Sequence, residues 1–378
     1  MMEETDYIDI PASEKDETYS DDSLYSINSW GADFSFRELI SLYEDGDLVK
    51  PELQRNYVWD KTEASRFIDS LLLGLPVPSI FLAKTGDDLM LIVDGYQRIM
   101  TVYDFVRGIF SKDNKVFRLT NSEKINSRWR GKSFAELDDS YQRKIKITTI
   151  HCIIFSQISP KNDDTSMYQI FERINTSGRT LLPQEIRNCV YQGRFNDLLF
   201  ELNKNENWRK LFGKDEPDAR MRDMEFILRF LALSSREFHE LDIKQLSLKK
   251  FLNEYMGFKN SNTPDILEKN KRKFIRAIDF ISSNFDEHIF HNISISDPNR
   301  YVIKFNATIY DSIMLATNYL LERELEKSIN LSNVEEKTRN LLLDDEYQDL
   351  IKVRTTRIDR IYERIQKASH YLYGIDYE

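Results

Sequence analysis

Leu91-Ile92-Val93-Asp94-Gly95-Tyr96-Gln97-Arg98-Ile99-Met100-Thr101 is the stretch on which the fold turns. An apolar strand ends in Asp-Gly, and helical spacing begins within a residue or two. Gly95 lets the backbone turn sharply and approach a ligand. The first N–H groups of the following helix lack intrahelical partners and carry partial positive charge, which suits an anion. Arg98 falls in the first turn, where its guanidinium can grip a phosphate bidentately. Asp94 is placed to hold a metal ion or a hydroxyl, and Gln97 to orient a water or a phosphate oxygen. The same residues admit a plainer account, with Asp94 as a helix cap and Arg98 in a surface ion pair.

Working outward, Ser79–Ala83 and Leu89–Val93 are short apolar runs separated by Lys84-Thr85-Gly86-Asp87-Asp88, the pattern of a β-hairpin. Upstream, Phe36–Ile40 and Ala64–Leu73 have helical spacing, and Leu75-Pro76-Val77-Pro78 stops the second of them. Ile99–Val106 continues as a helix. Ile145–Phe155 is rich in β-branched residues and predicts a strand. After Pro160 the texture is helical, with helices expected at Met167–Ile174, Pro183–Gln192, Phe195–Leu202, Met221–Leu233, Leu248–Tyr255, Asp265–Asn284, Asn306–Leu325, Val334–Leu343 and Asp349–Tyr373. The expected organisation is an unstructured acidic tail over 1–24, a mixed α/β domain over 25–160 and an all-helical domain over 161–378, an α+β chain overall.

Composition narrows the function. The chain has 378 residues, of which 41% are hydrophobic and 31% charged, enough for cores that need no disulfides. Two cysteines, Cys152 and Cys189, make neither a disulfide framework nor a Cys-rich zinc site, which points to a cytoplasmic setting. No apolar run approaches the ~20 residues of a membrane helix, so no membrane partner is expected. The net charge is -10, but residues 1–22 hold nine acids against Lys15 alone, and the remainder is near neutral. That segment reads as a solubilising tail or as an intramolecular mimic of an anionic ligand.

Two further segments accompany the first. Gln54-Arg55-Asn56-Tyr57-Val58-Trp59 joins polar and cationic groups to aromatic surface. Phe171-Glu172-Arg173-Ile174-Asn175-Thr176-Ser177-Gly178 leads into Leu181-Leu182-Pro183-Gln184-Glu185-Ile186-Arg187-Asn188. In this order and spacing, the three segments resemble the N-terminal domain family of GmrSD-type restriction enzymes, over residues 30–195. The resemblance implies a ParB/sulfiredoxin-like core in which a Gly-to-Arg turn binds nucleotide phosphates, and a role in bacterial defence against phage. It implies a nucleotide site of Gln54, Arg55, Gly95, Tyr96, Arg98, Arg173, Asn175 and Arg187, with Asp94, Gln97 and Arg98 catalytic and Asp94 on the metal. Tyr96 stands where the family usually has Gln.

An NTP with Mg²⁺ is therefore the expected ligand, and hydrolysis the expected reaction. Many relatives carry an HNH-type nuclease, which needs a His general base and metal-bound phosphate chemistry. His288 and His291 lack the accompanying His-x-x-Pro element, so a separate nuclease or effector protein is the expected partner. DNA is the alternative partner, with binding in place of turnover. Nine bases against three acids over 244–276, including Lys271, Arg272 and Lys273, and the Arg357, Arg360 and Arg364 row of the last helix would meet its phosphates. Solvated helix faces account for the same charges.

Overall fold

The computed structural model describes residues 7–11, 14, 26–50, 59–84, 89–159, 169–170, 172, 182–191, 193–257, 263–294, 296–298 and 300–377. The chain divides into two compact units, Ser23–Val190 and a second made of Met1–Asp22 with Tyr191–Glu378. The first described element, strand β1 (Ile8–Asp9), belongs to the second unit.

The Ser23–Val190 unit is mixed α/β. It contains β2 (Ser26–Ser35), α1 (Phe36–Asp45), β3 (Leu48–Val49), α2 (Lys61–Leu73), β4 (Ile80–Lys84), β5 (Met90–Asp94), α3 (Tyr96–Arg107), β6 (Ile109–Phe110), β7 (Lys115–Val116), α4 (Asp139–Ile147), β8 (Thr149–Ser159) and α5 (Pro183–Val190). Five strands form one sheet in the order β2-β8-β4-β5-β3. The β4–β5 pair is the expected antiparallel hairpin, while β8 runs parallel to β4 and β3 parallel to β5. Helices α1 and α2 start at capping boxes, Ser35 with Glu38 and Asp60 with Glu63, in which each cap side chain and its third-position partner satisfy each other's backbone N–H. Helices and sheet share a core that includes Phe36, Ile68, Ile80, Ile92, Ile99, Phe105, Trp129 and Ile150. The Asp69 carboxylate in that core accepts from Trp129 Nε1 at 2.7 Å and from the Asn126 N–H at 3.0 Å, so its burial leaves no donor stranded.

One local expectation is corrected here. Ile145–Ile147 are the last turn of α4, and β8 begins only at Thr149. Ile145 is fully buried in the helix while Ile147 is exposed, so packing on one face overrides β-branched propensity. Strand β2, unremarkable in sequence, forms because it pairs along its whole length with β8.

The second unit is mostly helical: α6 (Arg194–Asn203), α7 (Glu206–Phe212), α8 (Arg222–Leu233), α9 (Arg236–His239), α10 (Leu248–Gly257), α11 (Pro264–Asn284), α12 (Ala307–Glu322), α13 (Val334–Leu343), α14 (Asp345–Leu350) and α15 (Ile358–Tyr373). It also contains a small sheet, β1-β10-β9, in which β9 is His291–Ile293 and β10 is Tyr301–Asn306. Two expectations change. Asp349–Tyr373 is not one helix: Arg354 takes a left-handed φ of +48°, and Lys244 and Leu246 exchange backbone hydrogen bonds with Thr356 and Ile358, which ends α14 and restarts the chain at α15. The acidic segment is not unstructured throughout: Ile8 is buried and pairs with β10, because an apolar side chain there finds a sheet edge to cover. No described helix is long and apolar enough to cross a membrane.

Candidate functional site

Asp94 is the last residue of β5, and α3 starts two residues later. Gly95 between them has φ +103°, and a Cβ there would lie 2.2 Å from Ile80 Cγ2 on β4. Both the left-handed backbone and the close approach of β4 require glycine. Gly95, the N-cap residue of α3, brings no side chain to cap it. Arg98, one turn in, folds back over it. Its Nη2 pairs with Asp94 Oδ2, and its Nη1 donates to the Pro78 carbonyl at 3.2 Å. The Arg98 side chain is 12% exposed and that of Asp94 42%. The guanidinium is thus held in one orientation, with an accessible carboxylate beside it. Gln97 Oε1 accepts from the Trp59 N–H at 3.3 Å, which ties the end of the first motif to the second.

Other expected site residues are placed differently. Gln54, Arg55, Arg173 and Asn175 lie outside the described residues. Arg187 is 1% exposed on α5, and its Nη1 donates to Gln184 Oε1 at 3.1 Å. Burial corrects two DNA contacts. Arg364 is 2% exposed and donates to the Thr355 carbonyl. Lys273 is mostly covered, donating to the Ser234 carbonyl at 2.8 Å and facing Glu322 at 3.0 Å. Lys271, Arg272, Arg357 and Arg360 are each paired with an acid, Glu201, Glu268, Asp359 and Asp349 respectively. Beside α15 a cavity of about 920 Å³ is lined by Asp345, Glu346, Asp349 and Glu363 against Arg360 and Lys367, a balance that repels phosphates. His288 and His291 are partnered by Asp286 and the Val302 carbonyl.

The family model of the GmrSD restriction endonuclease N-terminal domain matches residues 36–192. That segment is similar to the GmrSD N-terminal domain family. No curated protein and no solved structure matches the chain. The GmrSD match opens at the first residue of α1 and spans all three motifs.

Within the matched segment, the Tyr96 ring is 7% exposed and packs among the buried side chains of the core. The ring supports a residue that motif reasoning missed. Lys50 Nζ stands 4.8 Å from the Tyr96 ring centroid, a cation–π arrangement. Burial pushes the Lys50 ammonium below the usual lysine range, and the nearby Cys189 of α5 partly offsets this. Lys50 precedes the first motif, touches the second and senses the helix that ends the third. Only its position immediately before Pro51 hinted at it.

Proposed function

We propose that the GmrSD domain of this chain binds and hydrolyses a nucleoside triphosphate as part of a restriction-type phage-defence system, and that a separate effector carries out the nucleolytic step. The observation that carries this is the Gly95 turn, which sets the accessible Asp94 carboxylate and the Arg98 guanidinium together at the N-terminus of α3. A triphosphate arriving there gives Arg98 a second anion to grip, in an orientation already fixed by the Pro78 carbonyl. Asp94, released in part from Arg98, is accessible enough to hold a magnesium ion brought in on the phosphates. A single protein carboxylate suits that ion, which keeps most of its coordination for phosphate and water. The metal would neutralise phosphate charge. Lys50 adds a cation whose partial desolvation strengthens its pull on an anion. The Gln97 amide orients water toward the γ-phosphorus; the water oxygen bonds to phosphorus as the bond to the β–γ bridging oxygen breaks, and the water's proton passes to an oxygen of the released phosphate.

A second reading, binding without turnover, draws support from the Asp94–Arg98 pair. The carboxylate that could take a proton from water is engaged by Arg98. Thermal-shift titration with each of the four NTPs and Mg²⁺, followed by a phosphate-release assay, separates the two. A ligand that binds specifically stabilises by mass action. One nucleotide should raise the melting temperature, and Arg98→Ala should weaken its binding at least tenfold. Binding without phosphate release would favour the second reading. Undiminished binding by Arg98→Ala, or no nucleotide binding at all, removes the turn from the site.

A further inference from the structure

Residues 286–291 turn the chain between α11 and β9. The Ile289 N–H donates to the Asp286 carbonyl at 3.1 Å, and the His291 N–H to the His288 carbonyl at 2.8 Å. Bonds of this i to i+3 kind bring side chains three apart onto one side of the chain. The His288 and His291 rings meet there, with their centres 5.3 Å apart. Each ring is held at its Nδ1 edge. His288 Nδ1 lies 2.8 Å from Asp286 Oδ1, and His291 Nδ1 lies 2.9 Å from the Val302 carbonyl oxygen of β10. The Tyr301 ring also stacks on His288, with centres 5.4 Å apart and 8° between the planes. A turn, a carboxylate, a strand carbonyl and an aromatic ring thus fix the two imidazoles.

Carbonyl and carboxylate oxygens only accept, so Nδ1 carries the proton in both rings. The lone pair of each neutral ring then sits on Nε2, and neither Nε2 makes a hydrogen bond among the described residues. Metal-binding histidines use this arrangement. One nitrogen takes the ion, while the other donates to a carboxylate or backbone carbonyl that fixes tautomer and orientation. The spacing agrees. With metal–nitrogen bonds of about 2.0–2.1 Å at a tetrahedral angle, two imidazole centres stand about 5 Å apart. The His288 side chain is 45% exposed, so an ion reaches the pair from solvent. Among the described residues no third histidine, cysteine or carboxylate joins them in a three-ligand group. Water therefore fills the remaining positions. Imidazole ligands favour late first-row ions, whereas magnesium and calcium call for oxygen.

We propose that His288 and His291 form a two-histidine site for a late first-row divalent ion, Zn²⁺, Ni²⁺ or Cu²⁺, held through their Nε2 atoms. Asp286 and the Val302 carbonyl are its positioning groups. The site shares no residue with the Asp94 turn, which belongs to the other compact unit. A bound ion ties the turn after α11 to the first residue of β9. Because it binds the folded turn, it stabilises the helical unit by mass action.

The test uses the untagged full chain, stripped of metal with a chelator and titrated calorimetrically with Zn²⁺ and with Ni²⁺ in excess Mg²⁺. One ion per chain should bind with a Kd below about 100 μM. His288→Gln and His291→Gln should each weaken binding at least tenfold, while His370→Gln, at an exposed position, leaves it unchanged. Melting temperatures without metal check that the variants fold. The paramagnetic resonance spectrum of Cu²⁺ on the unaltered chain needs no variant and should show splitting from two imidazole nitrogens. The proposal is overturned by no binding up to about 1 mM, by undiminished affinity in both variants, by an equal loss in His370→Gln, or by a spectrum without two imidazole nitrogens.

Discussion

Gly95 is the residue on which the candidate site depends. A methyl group there meets Ile80 and forces a left-handed φ on a residue that resists it. We expect Gly95→Ala to cost about 2–4 kcal/mol, combining the left-handed penalty with overpacking, measured by urea denaturation. A cost below about 0.5 kcal/mol, the range of ordinary surface changes, would mean that the turn is not as tight as described. Lys50 gives a complementary prediction. Lys50→Met keeps the stem over Tyr96 and removes a half-buried charge, so the fold should tolerate it while nucleotide binding weakens about tenfold, a 1.4 kcal/mol effect. The Leu91–Thr101 stretch revealed the turn and its Arg because both lie within a few residues. It could not reveal Lys50, whose significance comes from a ring 46 positions away along the chain.

Local signals and pairing partners divide the work at the scale of elements. Helices α1 and α2 carry their own start signals, and Asp60→Ala should lose about 1 kcal/mol of stability through its capping bonds, read from the denaturation midpoint. An unchanged midpoint would show that packing alone starts α2. Strand β2 has no such signal and exists by virtue of β8. The β1 strand is of the same kind, and its anchor is sensitive to pH. Hydrogen bonds from Arg222 and Tyr7 outweigh the effect of burial on Asp218 and bring its carboxyl down to about 2 from an ordinary 3.8. A carboxyl with a depressed folded-state value stabilises above its unfolded value and loses that contribution as pH falls. Docking of residues 7–9 should therefore hold above pH 4 and weaken between pH 4 and 2. In Asp218→Asn the melting temperature should change less over that window; an identical acid profile would remove Asp218 from the anchor.

For the whole molecule, the net charge of -10 resolves into particular contacts. Asp9 and Glu14, counted with an acidic tail, are bonded to Asn306 and Arg229. The basic stretches proposed for DNA are paired with acids or buried. We expect duplex DNA binding by the full chain to be weak at physiological salt. A steep loss of a tight DNA affinity with salt concentration, the mark of many phosphate contacts, would contradict this distribution of charge.

The sequence by itself determined the mixed α/β half and the helical half, the β4–β5 hairpin, the Asp94–Arg98 turn and the resemblance of residues 36–192 to the GmrSD N-terminal family. These rest on local periodicity, turn residues and short motifs, whose physical causes lie within one or two turns of chain. Only the tertiary structure decided which charges are available. Arg187 and Arg364 look like ligand-binding arginines in the sequence and lie in the interior, while Glu14 looks like solvated tail and fills a buried socket. Burial and counter-ion pairing are set by residues far apart in the chain, such as Glu14 with Arg229 and Thr355, and no local pattern encodes such distant contacts.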